Sequence, residues 1–435
     1  MDKTTLGNAA LLGLQTDLHL TAGEYNWLGT IFYVSYLLFE YPQNLALQRY
    51  PVGKWLAFNG IVWAVLVACQ AACKNFWQIF WCRFLLGACE GSATAAFMIS
   101  TSMFYTHREQ SSRTGYWFLM NGISVATSSF LSYGVLHIHT DKLHPWQWFF
   151  IITAIVTLTV SLCLLLFFPD SPATAWFLTP EERVKAILRI KVNQTGVENK
   201  HFKPHQTVEA LQDPKTWAWF FYSIFVTIPN ITNQQSLIIK SLGYSTLKTT
   251  LLSSVIGFVQ AISILVGVLL VRAIKNSRAI VAVVMSIPNI TAAIMSVILP
   301  WSAKIALLIA IYLSWFASTV SYCIGNIIAP QLWQAQYKPR NILPWSLILS
   351  CYLTCSVMIL GMRFYLVRQN KKRYQENHDN NEVDEKDNLE NKKNIHKVDK
   401  AFMDLTDLEN KGNTLDMNIK KFDFDDPKKK KVNLN

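Results

Sequence analysis

Charge is scarce in this chain. Of 435 residues only 16% are Asp, Glu, Lys or Arg, while 51% are hydrophobic and 13% aromatic, and the mean hydropathy is positive. A soluble domain of this length rarely carries so little charge. Catalytic signatures are missing too. There is no phosphate-binding glycine loop, no pair of loop-borne carboxylates at catalytic spacing and no histidine cluster at ligand spacing. His137, His139 and His144 fall close together in one loop, but their spacing does not define a metal site. No cofactor is expected, enzymatic chemistry has no motif to support it, and any driven process would draw on an ion gradient rather than on ATP. The start, Met1 to Leu20, lacks a basic segment followed by an uninterrupted apolar core, so no cleavable leader is expected and the first spanning helix would serve as the insertion signal. Cysteine is limited to Cys69, Cys73, Cys82, Cys89, Cys163, Cys323, Cys351 and Cys355, all in or beside apolar stretches and without zinc spacing; they read as packing residues.

What the chain does have is apolar sequence in runs of about 20 residues, long enough to cross roughly 30 Å of hydrocarbon as helices. Only a helix satisfies every backbone group within such a run. The runs fall at 25–47, 55–73, 77–103, 113–137 and 147–168, then, after a polar stretch, at 215–236, 250–272, 279–300, 304–333 and 344–367. The fold class is therefore an all-α membrane protein. The expected organisation is an N-terminal transmembrane bundle (1–168), a central cytoplasmic loop (169–213), a C-terminal transmembrane bundle (214–367) and a disordered cytoplasmic tail (368–435) rich in Asn, Lys, Asp and Glu. Five runs on either side of a basic loop suggest two repeated halves with a site between them, as in many transporters.

The net charge of +12 would suit a nucleic-acid binder, but its distribution argues against one. Basic residues gather in alternate loops: Arg108 and Arg113; the central loop from Arg183 to Lys215; Arg272, Lys275 and Arg278; and Arg368 to Arg373. Those segments are expected inside, and the loops near 138–146 and 237–249 outside. The run 304–333 is ambiguous. Thirty residues of helix reach about 45 Å, too long for one span and short of the roughly 60 Å needed for two. The basic tail favours two crossings and the length argues against them. The chain is thus expected to cross 10–11 times. The Pro427-Lys428-Lys429-Lys430-Lys431 run reads as a solvated tail near anionic lipid rather than an import signal. Asn230-Ile231-Thr232 and Asn289-Ile290-Thr291 match glycosylation sequons but lie in or beside spans, which argues against modification.

Ionisable groups inside lipid are costly and mark function by default. Arg83 and Glu90 share the span 77–103. Seven helical steps bring them to one face, with Cα atoms about 10 Å apart along the axis. They are the leading candidates for substrate binding or ion coupling; a structural charge pair is the plainer reading. Gly87 and Gly91, four residues apart, permit close helix approach. Glu40 precedes Pro42, which frees a carbonyl and permits a bend. Glu40, Pro42, Gly87, Gly91 and Arg113 are structural or gating candidates. Asn121, Asn230 and Asn326 are candidates for neutral contacts to a substrate, as are Asn233, Gln234, Gln235 and Gln260, although a buried Asn also joins helices.

Several stretches in order carry a family resemblance: Asp2-Lys3-Thr4-Thr5-Leu6-Gly7-Asn8-Ala9, Phe39-Glu40-Tyr41-Pro42-Gln43-Asn44, Pro51-Val52-Gly53-Lys54-Trp55-Leu56, Arg83-Phe84-Leu85-Leu86-Gly87 and Glu90-Gly91-Ser92. Further on come Met120-Asn121-Gly122, Phe168-Pro169-Asp170-Ser171-Pro172, Asp213-Pro214-Lys215-Thr216-Trp217 and Gly325-Asn326-Ile327-Ile328-Ala329-Pro330-Gln331. The chain resembles the fungal allantoate-permease-type anion:cation symporters of the major facilitator superfamily. That resemblance implies a helical bundle of two pseudo-repeated halves with 12 spans in intact members, and proton-coupled uptake of a small organic anion. The implied anions are ureides, carboxylates, vitamins or sulfur compounds, and the implied place is usually the plasma membrane. Its implied partners are that anion, a proton and the lipid bilayer, with no nucleic acid. Against the family pattern, the chain is expected to lack most of the first span and to be shortened around 304–333. The alternative expectation is a truncated, non-transporting relative or a regulatory membrane protein.

Overall fold

The computed structural model describes residues 2–138, 140, 142–190, 204–229, 233–274, 278–315, 326, 332–333, 335–337 and 340–388. Among these residues every regular element is helical: α1 (Asp2–Leu11), α2 (Leu14–Asp17), α3 (Ala22–Arg49), α4 (Val52–Gln70), α5 (Phe76–Glu90), α6 (Ala93–Phe104), α7 (His107–Val135), α8 (Pro145–Phe167), α9 (Pro180–Ile190), α10 (Pro204–Gln212), α11 (Pro214–Thr227), α12 (Gln235–Ser241), α13 (Thr246–Ala273), α14 (Arg278–Ile298), α15 (Lys304–Ser314) and α16 (Ile342–Asn388). Six stretches are long and apolar enough to cross a bilayer: 52–70, 76–104, 145–167, 246–273, 279–298 and 342–372. Helices α3 and α7, with 28 and 29 residues, have the same reach but a more polar composition.

Local chemistry fixes the helix starts. Thr21 and Thr106 are each followed three residues later by a Glu that returns to the cap: the Thr21 N–H donates to Glu24 Oε2 at 2.8 Å, and the Thr106 N–H to Glu109 Oε2 at 3.1 Å. Asp213 accepts from the Lys215 N–H at 2.9 Å, and Pro214 takes the first helical position, where no donor is required. Thr179 and Glu182 repeat the device at α9, with the Thr179 N–H donating to Glu182 Oε2 at 2.9 Å. The stretch 169–213, expected as a loop, thus carries two helices, α9 and α10.

The tail boundary also moves. A disordered segment was expected from residue 368, yet α16 continues to Asn388. Its 47 residues make a rod of about 70 Å, more than twice a bilayer's hydrocarbon thickness. No Gly or Pro falls between Met362 and Asn388 to end it.

Only the ends of the 304–333 run are described, residues 316–325 and 327–331 lying outside the described residues. Lys304 opens α15 soon after α14 finishes, and the Arg340 guanidinium donates to the Leu299 carbonyl at 3.2 Å. The Asn26 amide, near the start of α3, donates to the Trp333 carbonyl at 3.3 Å. From Lys304 to Asn341 the chain has 38 residues by numbering, short of the roughly 40 that two full spans need.

The apolar core gathers in two main clusters. One holds Leu6, Leu14, Leu28, Phe32, Ile79, Leu86, Trp146, Phe149 and Phe150; the other holds Ile239, Ile256, Ile311, Trp315, Trp345 and Ile348. Helices α7 and α13 meet along the seam between them. The seven described cysteines are free thiols, Cys73 Sγ lying 3.9 Å from Cys82 Sγ; Cys323 lies outside the described residues.

On the basic face, two motifs far apart in sequence meet. Pro51 has no side-chain acceptor to cap α4, and Asp170 supplies one from beyond α8. Its Oδ1 accepts from the Lys54 N–H at 3.3 Å, while Oδ2 lies 4.0 Å from Lys54 Nζ. Gly53 has no Cβ because one would sit 2.9 Å from Asp170 Oδ1. Asp170→Ala is expected to remove this cap and lower the melting temperature of the detergent-solubilised protein, at a cost of about 1 kcal/mol; unchanged melting would show the contact to be idle.

Nearby, Arg189 of α9 pairs with Glu109, and Arg113 stacks over the Tyr105 ring at 4.8 Å. The Thr106 backbone N–H, then its hydroxyl and the two arginines, hold the Glu109 carboxyl below the ordinary range. A depressed carboxylate stabilises the fold above its ordinary pKa. That contribution fades as pH falls through the lowered value, and it is small at so open a position.

Candidate functional site around Arg83 and Glu90

Helix α5 is regular from Phe76 to Glu90, so Arg83 and Glu90 share one face. Both are almost fully buried, at 3% and 4% exposure. Counted from Phe76, Arg83 lies about 10 Å and Glu90 about 21 Å along the axis. Past Glu90 the backbone stays right-handed helical at Gly91 (φ −54°, ψ −26°) and Ser92 (φ −85°, ψ −21°), and 76–104 makes one apolar stretch of 29 residues, in line with the expected span 77–103.

Arg83 belongs to an upper layer. Its guanidinium donates to Thr5 Oγ1 of α1 at 3.3 Å, and Tyr25 of α3 lies within its electrostatic reach. From there hydrogen bonds cross the seam. Tyr25 donates to the Asn233 carbonyl at 2.8 Å, and the Gln234 amide donates to Asn26 Oδ1 at 2.8 Å. Thr4 and the Asn8 amide both donate to Ser128 of α7, at 3.0 and 2.9 Å. Ser236 donates to Asn8 Oδ1 at 3.4 Å and lies 3.5 Å from Ser253 of α13. All of this lies toward the face opposite the basic loops, so that side of the seam is closed by a buried polar network.

Glu90 belongs to a lower layer. Gly87 packs on the Phe32 carbonyl and Gly91 on Glu40: a Cβ at Gly91 would lie 3.5 Å from the Glu40 Cα. The two glycines let α5 and α3 touch backbone to backbone, and the same contact brings the Glu90 and Glu40 segments side by side. Gln43, one residue after Pro42, ties the layer together. Its amide donates to the Ala88 carbonyl at 2.9 Å and to Asn59 Oδ1 at 3.0 Å, while its oxygen accepts from Trp55 Nε1 at 2.8 Å. Helix α3 runs unbroken through Pro42.

The other candidates scatter. Asn121 is exposed on α7, next to Gly122, which packs on α13. Asn326 is buried at 2% exposure. Asn230 lies outside the described residues. Arg113 is exposed on the basic face, remote from Arg83. Gln235 and Gln260 are buried, and their side-chain oxygens accept no hydrogen bond. Thr5, Asn8, Tyr25, Asn26, Ser128 and Ser253 carry the network, and composition gives no sign of them: single hydroxyls and amides in apolar helices are common, and only the tertiary fold brings these together. Among the described residues no cluster of three His, Cys, Asp or Glu could hold a metal ion.

Residues 1–342 match the Major Facilitator Superfamily. An uncharacterized transporter of Schizosaccharomyces pombe is 33% identical over 94% of this chain and 78% of its own length. The allantoate permease of Saccharomyces cerevisiae is 30% identical over 86% of this chain and 76% of its own. Among solved structures, the proton:xylose symporter XylE of E. coli superimposes with a TM-score of 0.55 at 13% identity, over 83% of this chain and 85% of the other.

Proposed function

The chain belongs to the Major Facilitator Superfamily, and from that premise we propose that it is a proton-coupled importer of a small organic anion at the plasma membrane. It is a multi-pass membrane transporter of the facilitator type. The observation that carries the finer reading is the placement of one cation and one acid, Arg83 and Glu90, on a single buried helix face. Ions buried at mid-membrane depth cost several kcal/mol and persist where they serve transport. Arg83 attracts the anion. Glu90, beside Glu40, is the candidate proton carrier. Both are shielded here, so substrate reaches Arg83 only when the hydrogen bonds around Thr5 and Tyr25 part, as alternating access requires. The allantoate permease relative supports a ureide carboxylate as the anion, and other carboxylates, vitamins and sulfur compounds are the further classes to test.

The test is uptake of labelled allantoate, nicotinate, a sulfonate and cysteine in fungal cells lacking their own carriers, with surface abundance measured in parallel. Uptake of one compound, stimulated by acidic medium and collapsed by an uncoupler, is expected. A second reading, a family relative that does not transport, draws support from the length of chain from Lys304 to Asn341, 38 residues by numbering and short of two full spans. Full surface abundance with no uptake of any compound would favour it.

A further inference from the structure

A cavity of about 360 Å³ lies where α7 of the first half meets the helices of the second half, and neither Arg83 nor Glu90 lines it. It is walled by α7, α11, α13, α14 and α16, and α15 contributes nothing to it.

The chamber has a graded lining. Its wall is mostly apolar, with Val268, Val283 and Ile359 among the side chains. Toward the basic face it ends at Arg272, in the last turn of α13, which is exposed and donates to the Tyr116 hydroxyl at 3.1 Å. At the other end sits Asn289 of α14, 1% exposed, beside Tyr352. The Asn289 side chain meets the Tyr352 hydroxyl, and its oxygen is left without a donor. A buried amide oxygen without a donor costs about 1–3 kcal/mol, and a ligand that brings a donor recovers it. The volume lies within the usual range for small-molecule sites, about 300–1,000 Å³.

We propose that this chamber is a second ligand site, for an amphipathic carboxylic acid bearing a hydrogen-bond donor at its far end. The carboxylate rests on Arg272 at the cytoplasmic mouth, the alkyl or aryl body fills the apolar wall, and a hydroxyl or amide N–H donates to Asn289 Oδ1. Two features select this class. A guanidinium at an open mouth favours a carboxylate, and an amide oxygen at the closed end discriminates against a plain hydrocarbon tail. A membrane lipid meets the middle requirement and fails the last. The ligand enters from the side of the basic loops, so it is a cytosolic species.

The test uses the full chain purified in detergent, with labelled 10-hydroxydecanoate as the probe and decanoate as competitor. Saturable binding is expected, with the hydroxy acid preferred. Arg272→Gln lowers affinity about tenfold, the loss of one charge-assisted contact. Asn289→Leu abolishes the preference for the hydroxy acid over decanoate. Ser356→Phe fills the chamber and removes binding, while Arg83→Ala leaves it intact. Gel filtration and melting of each variant confirm that it folds. Non-saturable binding, or binding equal in wild type, Arg272→Gln and Ser356→Phe, would overturn the proposal and indicate detergent-like partitioning only. Binding lost in Arg83→Ala but kept in Ser356→Phe would overturn it in favour of the site on α5.

Discussion

Arg83→Ala abolishes uptake, by at least about a hundredfold, while surface abundance stays near wild type. The expectation rests on what Arg83 touches. Its guanidinium is buried at 3% exposure and donates to Thr5 Oγ1 at 3.3 Å. Surface abundance, measured in parallel, reports whether the variant folds. An anion drawn into the bundle would lose a charge-assisted partner, worth about 1.5–3 kcal/mol in binding. It would also lose the positive potential that makes its desolvation tolerable, and the two losses together reach the stated factor. Arg83→Lys should restore part of the activity, because charge returns without the planar fork. Glu90→Gln separates the roles further: uptake down the anion's own gradient continues, while stimulation by external acid disappears. Arg83→Ala with normal uptake would remove the anion site from α5. Glu90→Gln with an unchanged pH profile would move the proton carrier elsewhere, with Glu40, beside Gly91, the next to examine.

The overall architecture could be read from the chain because bilayer thickness imposes a length on every span. Runs such as 147–168 and 250–272 locate α8 and α13 within a few residues for that reason. The alternation of basic loops indicated the sense of crossing, while the number of crossings in 304–333, and with it the side to which α16 runs, stayed open. What sequence leaves hidden is tertiary. Arg83 and Glu90 stood out because ionisable groups are rare in such helices. Ser128, Asn8 and Ser236 did not, because small polar residues occur throughout them, and their meaning lies in meeting across the seam. The motifs Pro51-Val52-Gly53-Lys54 and Phe168-Pro169-Asp170 could be seen singly. That one caps the other's helix is a fact of folding. The helical extension of α16 was missed because charged composition suggests disorder, although a segment without Gly or Pro can also continue a helix already nucleated in the membrane.

Gly257→Leu should be the most damaging single change outside the charged site, with uptake lost and the outer side of the seam opened. Helices α7 and α13 touch backbone to backbone at two glycines. A Cβ on Gly122 would lie 2.6 Å from the Ala261 nitrogen and 2.7 Å from the Gly257 carbonyl, and one on Gly257 would fall against the Ala126 nitrogen. The obstructing atoms are main chain, so no rotamer change relieves the clash and the helices must separate. Overpacking of this kind costs about 1–3 kcal/mol where side chains can shift, and more where they cannot. The consequence goes beyond stability because of what lies one turn away. Ser253, four residues before Gly257, and Ser128, six residues after Gly122, are the α13 and α7 ends of the network that runs through Asn8 and Ser236. Its contacts of 3.4 and 3.5 Å have no slack, so a separation of even 1 Å breaks them. A cysteine placed at Ser236 should then react with a membrane-impermeant maleimide in the Gly257→Leu background and stay protected otherwise. Gly134→Ala on α7 is the control: a Cβ there meets nothing within 4 Å, and the change should leave uptake and protection as they were. Equal protection at Ser236 in both backgrounds would mean that the closure of the outer face does not depend on the glycine crossing, and that α7 and α13 are packed there for stability alone.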